Sequence, residues 1–182
     1  IGAVNCVKIS QDGHTTGYNT DIEGIRFSLD KLLQGVDAKA ALLLGTGGAS
    51  QAVQYVLAER NIPFSIVSRD KAKGDFTYGE LSQEIIASHP LIINSSPVGM
   101  YPNVDDKPIA SADMLHEDLI VNDIVYTPLE TSLLKEAKLA NAEIVYGYKM
   151  LLYQGIRSFE IWLGRDAPVD VMEKALRETL NL

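Results

Sequence analysis

The sequence is poor in cysteine, in long apolar runs and in basic side chains. Cys6 is the single cysteine, so the chain can form neither an internal disulfide nor a metal site built from several cysteines. No apolar run approaches the roughly 20 residues that a membrane-spanning helix needs. The 16 basic and 24 acidic residues give a formal charge of −8, which disfavours nucleic acid as the main partner. We expect a soluble, cytoplasmic protein with no metal, membrane or nucleic-acid partner.

The length and the first residue bear on the domain organisation. A chain of 182 residues can form one well-buried domain and is short for two complete ones. It begins with Ile1 instead of methionine, and the residues that follow have no targeting character. These features favour an excised or processed chain that lacks part of the native protein.

Short apolar segments rich in β-branched residues alternate with amphipathic segments along the chain. The predicted strands are 40–44, 64–68, 91–94, 120–125 and 143–145, and the predicted intervening helices are 48–60, 78–87 and 129–140. Alternation of this kind implies parallel strands joined by crossover helices. The pattern predicts an α/β fold with a Rossmann-like doubly wound parallel sheet, whose ligand lies at the carboxyl ends of the strands.

Three further helices flank this sheet in the sequence. They are predicted at 21–33, 149–163 and 169–180, with Asp166 as a candidate cap for the last one. The expected division is a hinge segment and connecting helix at 1–34, a dinucleotide-binding domain at 35–147, and helices at 148–182 that would complete a second lobe. Residues 95–118 form a long aperiodic segment, either a loop over the ligand crevice or a disordered insertion.

The motif GTGGAS at 45–50 follows the first buried strand and precedes a helix. Gly45 would permit a tight turn, and Gly47 would let the backbone approach a pyrophosphate. The amides at the start of the next helix would then face that charge. The alternative is a glycine turn of an α/β sheet that binds nothing.

The residues after the second strand indicate which dinucleotide the site takes. Arg69 offers a planar fork to a 2′-phosphate, Ser68 offers a hydroxyl, and Lys71 or Lys73 adds positive charge. We therefore favour NADP. Asp70 keeps NAD open, since it could bind ribose hydroxyls or pair with Arg69.

Four segments together resemble shikimate dehydrogenases: IGAVNCV at the start, YNTDIEG at 18–24, INSSPVGM at 93–100 and YGYKMLLYQGIRSFEIW at 146–162. The resemblance covers essentially the whole chain and keeps the order and spacing around GTGGAS. It implies a Rossmann domain hinged to a substrate lobe. It also implies NADPH-dependent reduction of 3-dehydroshikimate to shikimate, in the pathway to chorismate and aromatic amino acids.

The resemblance also implies roles for single residues. Asp21 would belong to the catalytic pair that handles the substrate hydroxyl proton, and the lysine partner lies in an upstream motif that this sequence lacks. Asn5, Asp21, Tyr126 and Gln154 would contact the substrate. The expected cofactor-binding residues, with Lys73 added for its charge, are Gly45, Gly47, Gly48, Ala49, Ser68, Arg69, Lys73, Val125, Gly147 and Met150. Lys149 stands where glycine often lies and could meet a cofactor phosphate.

Other interpretations of these residues remain open. Residues 20–23 also match a capping box, and Gln154 could be an ordinary exposed helix residue. Met150 could be a core residue, and Asn5 could only hydrogen-bond the backbone of its own loop. The alternative functions are an NAD-preferring quinate/shikimate dehydrogenase, a non-catalytic dinucleotide-binding module and, more weakly, another Rossmann enzyme such as a methylenetetrahydrofolate dehydrogenase. A homodimer is left open. Without the lysine, we expect this chain alone to have little or no dehydrogenase activity.

Overall fold

A computed structural model describes residues 1–33, 39–109 and 112–182 of the chain. The strands are Cys6–Ile9 (β1), Thr15–Tyr18 (β2), Ala41–Leu44 (β3), Phe64–Ser68 (β4), Phe76–Thr77 (β5), Leu91–Asn94 (β6), Ile120–Asp123 (β7) and Glu143–Tyr146 (β8). The α-helices are Asp21–Leu32 (α1), Gly48–Glu59 (α2), Gln83–Ala87 (α3), Ser132–Leu139 (α4), Tyr148–Leu163 (α5) and Val169–Leu180 (α6). No helix in the described part of the chain is long and apolar enough to cross a membrane.

Six parallel strands form the main sheet, in the order β5-β4-β3-β6-β7-β8. From β3 the chain builds outward through β4 and β5, and it then returns to add β6 on the other side of β3. The order therefore reverses between β3 and β6, which is where a doubly wound sheet binds its ligand. The predicted α/β fold class is confirmed.

The side chains of β3 show how the sheet is covered on both faces. Leu42 and Leu44 belong to one buried cluster, which α3 and α4 cover. Ala41 and Leu43 belong to the other, which α1 and α2 cover. Since successive strand residues point to opposite faces, the apolar run of β3 serves both layers.

The two ends of the chain meet away from the sheet. Strands β1 and β2 form a separate antiparallel hairpin, and the Trp162 indole of α5 donates a hydrogen bond to the Val7 carbonyl in this hairpin (3.1 Å). Helix α1 packs against α5. The expected domain boundary between residues 34 and 35 lies outside the described residues.

Several sequence predictions need correction. The predicted helix 78–87 is a 3-10 turn, Tyr78–Glu80, followed by α3, because Ser82 caps a separate helix there. Asp166 does not cap α6, whose N-cap is Pro168, without a side-chain hydrogen bond. The last predicted strand residues, 124 and 125, lie beyond β7. The β1–β2 hairpin and β5 were not predicted.

Gly24 allows α1 and α5 to approach each other closely. A Cβ added at this position would lie 2.5 Å from the Met150 backbone oxygen, whereas one added at Gly155 would lie 3.8 Å from the nearest neighbour, the Met172 Cε. We expect Gly24→Ala to lower the free energy of unfolding by about 1–3 kcal/mol through overpacking. Gly155→Ala is the matched control and should be neutral or stabilising by up to about 1 kcal/mol. Urea denaturation measures both, and equal effects would contradict the packing argument.

Candidate functional site

The glycine turn joins β3 to α2 at the reversal point of the sheet. Gly45 has φ +111°, and a Cβ there would lie 3.0 Å from the Ser96 amide nitrogen, so only glycine fits without strain. The Ser50 hydroxyl donates a hydrogen bond to the Gly45 carbonyl (2.8 Å) and closes the turn. Gly47 is the N-cap of α2, and no side chain of the described residues caps this helix. The first amides of α2 therefore face the crevice without a side-chain acceptor.

Two adjoining cavities form a crevice over this turn. One, of about 630 Å³, is lined by residues that include Gly45, Thr46, Gly47, Ser68, Arg69, Asp70, Lys73, Tyr78 and residues 95–98. The other, of about 350 Å³, is lined by residues 47–49, residues 95–97, Met100 and residues 124–127. They share Gly47 and residues 95–97, so the crevice runs continuously from the β4 side of the turn to the β7 side. The segment after β6 lines both cavities, which confirms that the beginning of the long loop lies at the crevice.

The charged residues after β4 have different surroundings. The Asp70 carboxylate accepts a hydrogen bond from the Ala72 amide (3.0 Å) and lies 3.8 Å from the Lys73 Nζ. The Ser68 hydroxyl accepts from the Asp70 amide (3.1 Å). Arg69 is exposed at the crevice wall and forms no salt bridge with any described residue. The guanidinium is thus available to an anion, while Asp70 is held by its own turn.

A second cluster of polar side chains forms around Thr20, which is fully buried. The Asn5 Oδ1 accepts a hydrogen bond from the Thr20 amide (2.8 Å) and lies 3.2 Å from the Thr20 hydroxyl. That hydroxyl also lies 3.3 Å from the Gln154 Oε1 and 3.0 Å from the Ser158 Oγ. Asn5 and Gln154, distant in sequence, are therefore brought together. The capping-box interpretation of residues 20–23 is wrong, because the Thr20 side chain makes no cap hydrogen bond.

Asp21 follows Thr20 as the first residue of α1 and is half-buried beside this cluster. Burial raises the pKa of the Asp21 carboxyl above its ordinary value, and a hydrogen bond with the Asn5 side chain offsets part of that rise. A carboxyl with a raised pKa exchanges its proton closer to neutral pH. Asp21 can therefore act as a proton donor or acceptor more readily than an exposed aspartate.

The polar cluster and the crevice are close in space. A Cβ added at Gly48, in the crevice wall, would lie 3.9 Å from the Ala3 Cβ. Asn5 lies two positions after Ala3 in the chain, a span of about 7 Å at most. Tyr126, the fourth expected substrate contact, lies in the crevice wall with Val125 and not in the Thr20 cluster.

Three residues at the start of α5, Gly147, Lys149 and Met150, lie away from the crevice walls. Met150 is buried in the core cluster beneath α1. A Cβ at Gly147 would lie 2.3 Å from the Ile124 carbonyl oxygen, so this glycine permits close packing of α5 against the end of β7. Neither lines the two cavities, and their contact with a cofactor stays a prediction. The Lys149 ammonium donates a hydrogen bond to the Glu173 carboxylate of α6, so this lysine is already paired within the chain.

Sequence reasoning missed several residues at this edge of the sheet. Among them are Thr46 and Tyr78 in the crevice walls and Ser158 in the Thr20 cluster. It also missed Asn94 and Asp123, the polar last residues of the apolar strands β6 and β7. That position was the available signal, because the carboxyl ends of neighbouring parallel strands converge on the ligand site.

Asp123 is fully buried and accepts three hydrogen bonds, from the Asn94 side-chain amide (3.0 Å), the Val125 backbone amide (3.0 Å) and the Thr131 hydroxyl (2.7 Å). Burial raises the pKa of this carboxyl to about 6, and the three donors limit the rise. In the described ranges no three or more histidine, cysteine or acidic side chains lie together in a way that could hold a metal ion.

Comparisons with known proteins agree on one family. Residues 147–177 match the family model of the shikimate 5′-dehydrogenase C-terminal domain. The shikimate dehydrogenase (NADP(+)) of Methanothermobacter thermautotrophicus is 43% identical, over all of this chain and 69% of that protein.

Two solved structures superimpose on nearly the whole chain. The shikimate 5-dehydrogenase of Thermus thermophilus, in complex with NADP(H) and shikimate, has a TM-score of 0.83 at 30% identity, over 98% of this chain and 69% of the other. The quinate dehydrogenase of Corynebacterium glutamicum, in complex with NAD, has a TM-score of 0.86 at 27% identity, over 100% and 68%.

The buried Asp123 carboxyl leads to a prediction about stability and pH. Its pKa is about 6 in the folded chain and about 4 when unfolded, so the protonated form favours folding by about 3 kcal/mol relative to the charged form. This contribution is present below about pH 4 and is lost as the pH rises through about 6. Relative to Asp123→Asn, the free energy of unfolding of the unmodified chain should therefore fall by up to about 3 kcal/mol between about pH 4 and about pH 7. Urea denaturation across this range tests it, and a difference that does not change with pH would contradict it.

Proposed function

The chain belongs to the shikimate dehydrogenase family, and from that premise we propose that it forms the cofactor-binding part of an enzyme that reduces 3-dehydroshikimate to shikimate with NADPH. The single observation that carries the choice of cofactor is the contrast between Arg69, which has no salt-bridge partner among the described residues, and Asp70, which caps its own turn. A free guanidinium suits a 2′-phosphate, and an occupied carboxylate is poorly placed to bind ribose hydroxyls. This geometry supports NADP over the NAD alternative.

The glycine turn is the proposed binding site of the pyrophosphate. Gly47 has open space where a Cβ would be, so the backbone can approach a ligand there. Residues 47–49 present the uncapped start of α2, whose amides and dipole favour an anion. Ser68, Arg69 and Lys73 would bind the 2′-phosphate of the adenosine on the β4 side. Val125 would meet the nicotinamide on the β7 side, with Gly147 and Met150 behind it.

The Thr20 cluster is the proposed substrate side. Asn5 and Gln154 present amide groups beside Asp21, and Tyr126 adds a phenol from the crevice wall; groups of this kind can hydrogen-bond the hydroxyls of a cyclic polyol. Bound NADPH would supply hydride to the substrate carbonyl carbon. Asp21 would hold or move the proton at the oxygen that becomes the hydroxyl, together with a lysine from a motif that these 182 residues do not contain.

The proposed division of the chain follows the same scheme. Residues 35–147 would form the cofactor domain, and residues 1–34 and 148–182 would join it to a substrate lobe. The close packing of α1 on α5 at Gly24 supports the grouping of these two helices. NADP(H) and shikimate are small-molecule partners; a homodimer and a cytoplasmic location stay predictions.

Arg69→Ala tests the choice of cofactor. Loss of a charge-assisted hydrogen bond to phosphate, about 1.5–3 kcal/mol, should weaken NADPH binding about 10- to 100-fold. NADH has no 2′-phosphate, so its affinity should change little. Arg177→Ala, which removes an exposed arginine of α6 that does not line the crevice, is the matched control. Fluorescence titration of the chain with each cofactor gives the dissociation constants, and equal losses for NADPH and NADH would refute the role.

Asp21→Asn tests the proposed proton transfer while keeping the size and polarity of the side chain. In a form of the protein that reduces 3-dehydroshikimate, we expect kcat to fall about 100-fold or more, with little change in NADPH binding. Glu23→Gln, two residues further along the same helix and paired with Arg26, is the control and should retain turnover. The 182-residue chain alone should bind NADPH with little turnover. A normal rate for the Asp21 variant would rule out the assigned role.

A further inference from the structure

A buried polar cluster at the ends of β6 and β7 has no part in the chemistry proposed above. Its members are Asn94, Asp123 and Thr131, each with no exposed surface. The Asp123 carboxylate is its centre, because both of its oxygens accept hydrogen bonds and one of them accepts two. No lysine or arginine of the described residues forms a salt bridge with it. Lys107 pairs with Glu136 and Lys138 with Glu130, so neither lysine is bound to this carboxylate.

The hydrogen bonds of this cluster reach two segments of the crevice wall, the one after β6 and the one after β7. Towards residues 95–98, the Asn94 Oδ1 accepts from the Ser96 amide (3.1 Å) and the Ser96 hydroxyl (2.7 Å), and the Ser96 Oγ accepts from the Val98 amide (3.3 Å). Towards residues 124–127, the Asp123 Oδ1 accepts from the Val125 amide. Because Asp123 also accepts from the Asn94 amide, one carboxylate connects the two wall segments.

We propose that Asp123 is a positioning residue, whose carboxylate holds the segment after β6 and the segment after β7 in the relative arrangement that the cofactor requires. The proposal rests on the proposed function in so far as it takes NADPH as the ligand of this crevice. Asp123 itself does not line either cavity, so it acts through Asn94, Ser96 and the Val125 amide.

A buried carboxylate is a costly way to fill this position. Burial raises the pKa of Asp123 to about 6, so the charged form is disfavoured in the fold, and apolar residues of similar volume often replace buried charges without loss of stability. What a carboxylate provides, and an apolar side chain cannot, is an acceptor for several donors at once. The three donors here belong to β6, to the segment after β7 and to the N-cap of α4.

A purely structural role is the competing explanation. The Thr131 hydroxyl donates to Asp123 and also accepts from the Leu134 amide as the cap of α4, so Asp123 could serve that helix alone. The two roles differ in what the loss of Asp123 disturbs. A role confined to α4 affects stability, whereas the positioning role also affects the crevice walls and the affinity for cofactor in the folded chain.

Amide hydrogen exchange of the 182-residue chain without cofactor is the first test. In Asp123→Ala we expect faster exchange at the Ser96 and Val98 amides on one wall and at the Val125 amide on the other. Asp123→Asn keeps an oxygen acceptor and should restore much of the protection. Faster exchange on one wall only, on neither wall, or only within α4 would overturn the proposal.

Cofactor titration is the second test. Asp123→Ala should raise the dissociation constants of NADPH and NADH by the same factor, about tenfold or more. The factor is the same because both cofactors would contact the two wall segments and Arg69 is unchanged. Asp123→Asn should recover most of this affinity. Asn94→Ala should cause a similar loss, and the double variant should lose little more, since both residues act through one connection. A dissociation constant for Asp123→Ala within about twofold of the unmodified chain, in a folded variant, or additive losses in the double variant would overturn the proposal.

The two tests separate this proposal from the proposed function. If the unmodified chain does not bind NADPH, the proposed function fails, and hydrogen exchange still decides whether Asp123 connects the walls. If Asp123→Ala does not fold, Asn94→Ala carries both tests. Asn94→Ala should speed amide exchange in residues 95–98 and weaken the binding of NADPH and NADH by the same factor. Exchange rates or dissociation constants equal to those of the unmodified chain would overturn the proposal.

Discussion

The convergence of parallel strand ends at one edge of the sheet is the constraint on which the rest of the structure depends. Backbone hydrogen bonds hold β4, β3, β6 and β7 in parallel register, so the residues after each strand emerge side by side. The order of the strands reverses between β3 and β6, which places a crevice at their carboxyl ends. Segments far apart in sequence therefore line one crevice.

Charge is distributed unevenly around this edge, and the local hydrogen bonds explain how. The chain carries a net charge of −8, yet Arg69 at the crevice is left without an acidic partner among the residues described, because Asp70 is held by the Ala72 amide and lies near Lys73. The buried carboxylate of Asp123 does not line the crevice and accepts hydrogen bonds from Asn94 of β6, from the Val125 amide and from Thr131 at the start of α4. A generally acidic protein can in this way present an anion-binding surface at one place.

Much of the sheet and part of the site could be predicted from the sequence because they depend on local patterns. Short apolar runs between helices give β3, β4, β6, β7 and β8, and GTGGAS gives the turn. The Thr20 cluster could not be predicted in this way. Thr20 fits a capping box locally, but its hydroxyl meets Gln154 and Ser158, which only the packing of α1 on α5 brings near. The connection through Asp123 likewise depends on which strands are neighbours.

The measurement that tests the central claim most directly is a titration of the isotopically labelled chain with NADP⁺, followed by amide chemical shifts. Binding in the crevice predicts that the largest changes occur at Gly47, Gly48, Arg69, Ser96 and Val125, which surround the glycine turn on both sides. The exposed face of α6 should change little. Large changes confined to α6 or to the β1–β2 hairpin, or no change at saturating cofactor, would contradict the assignment of this crevice to NADP.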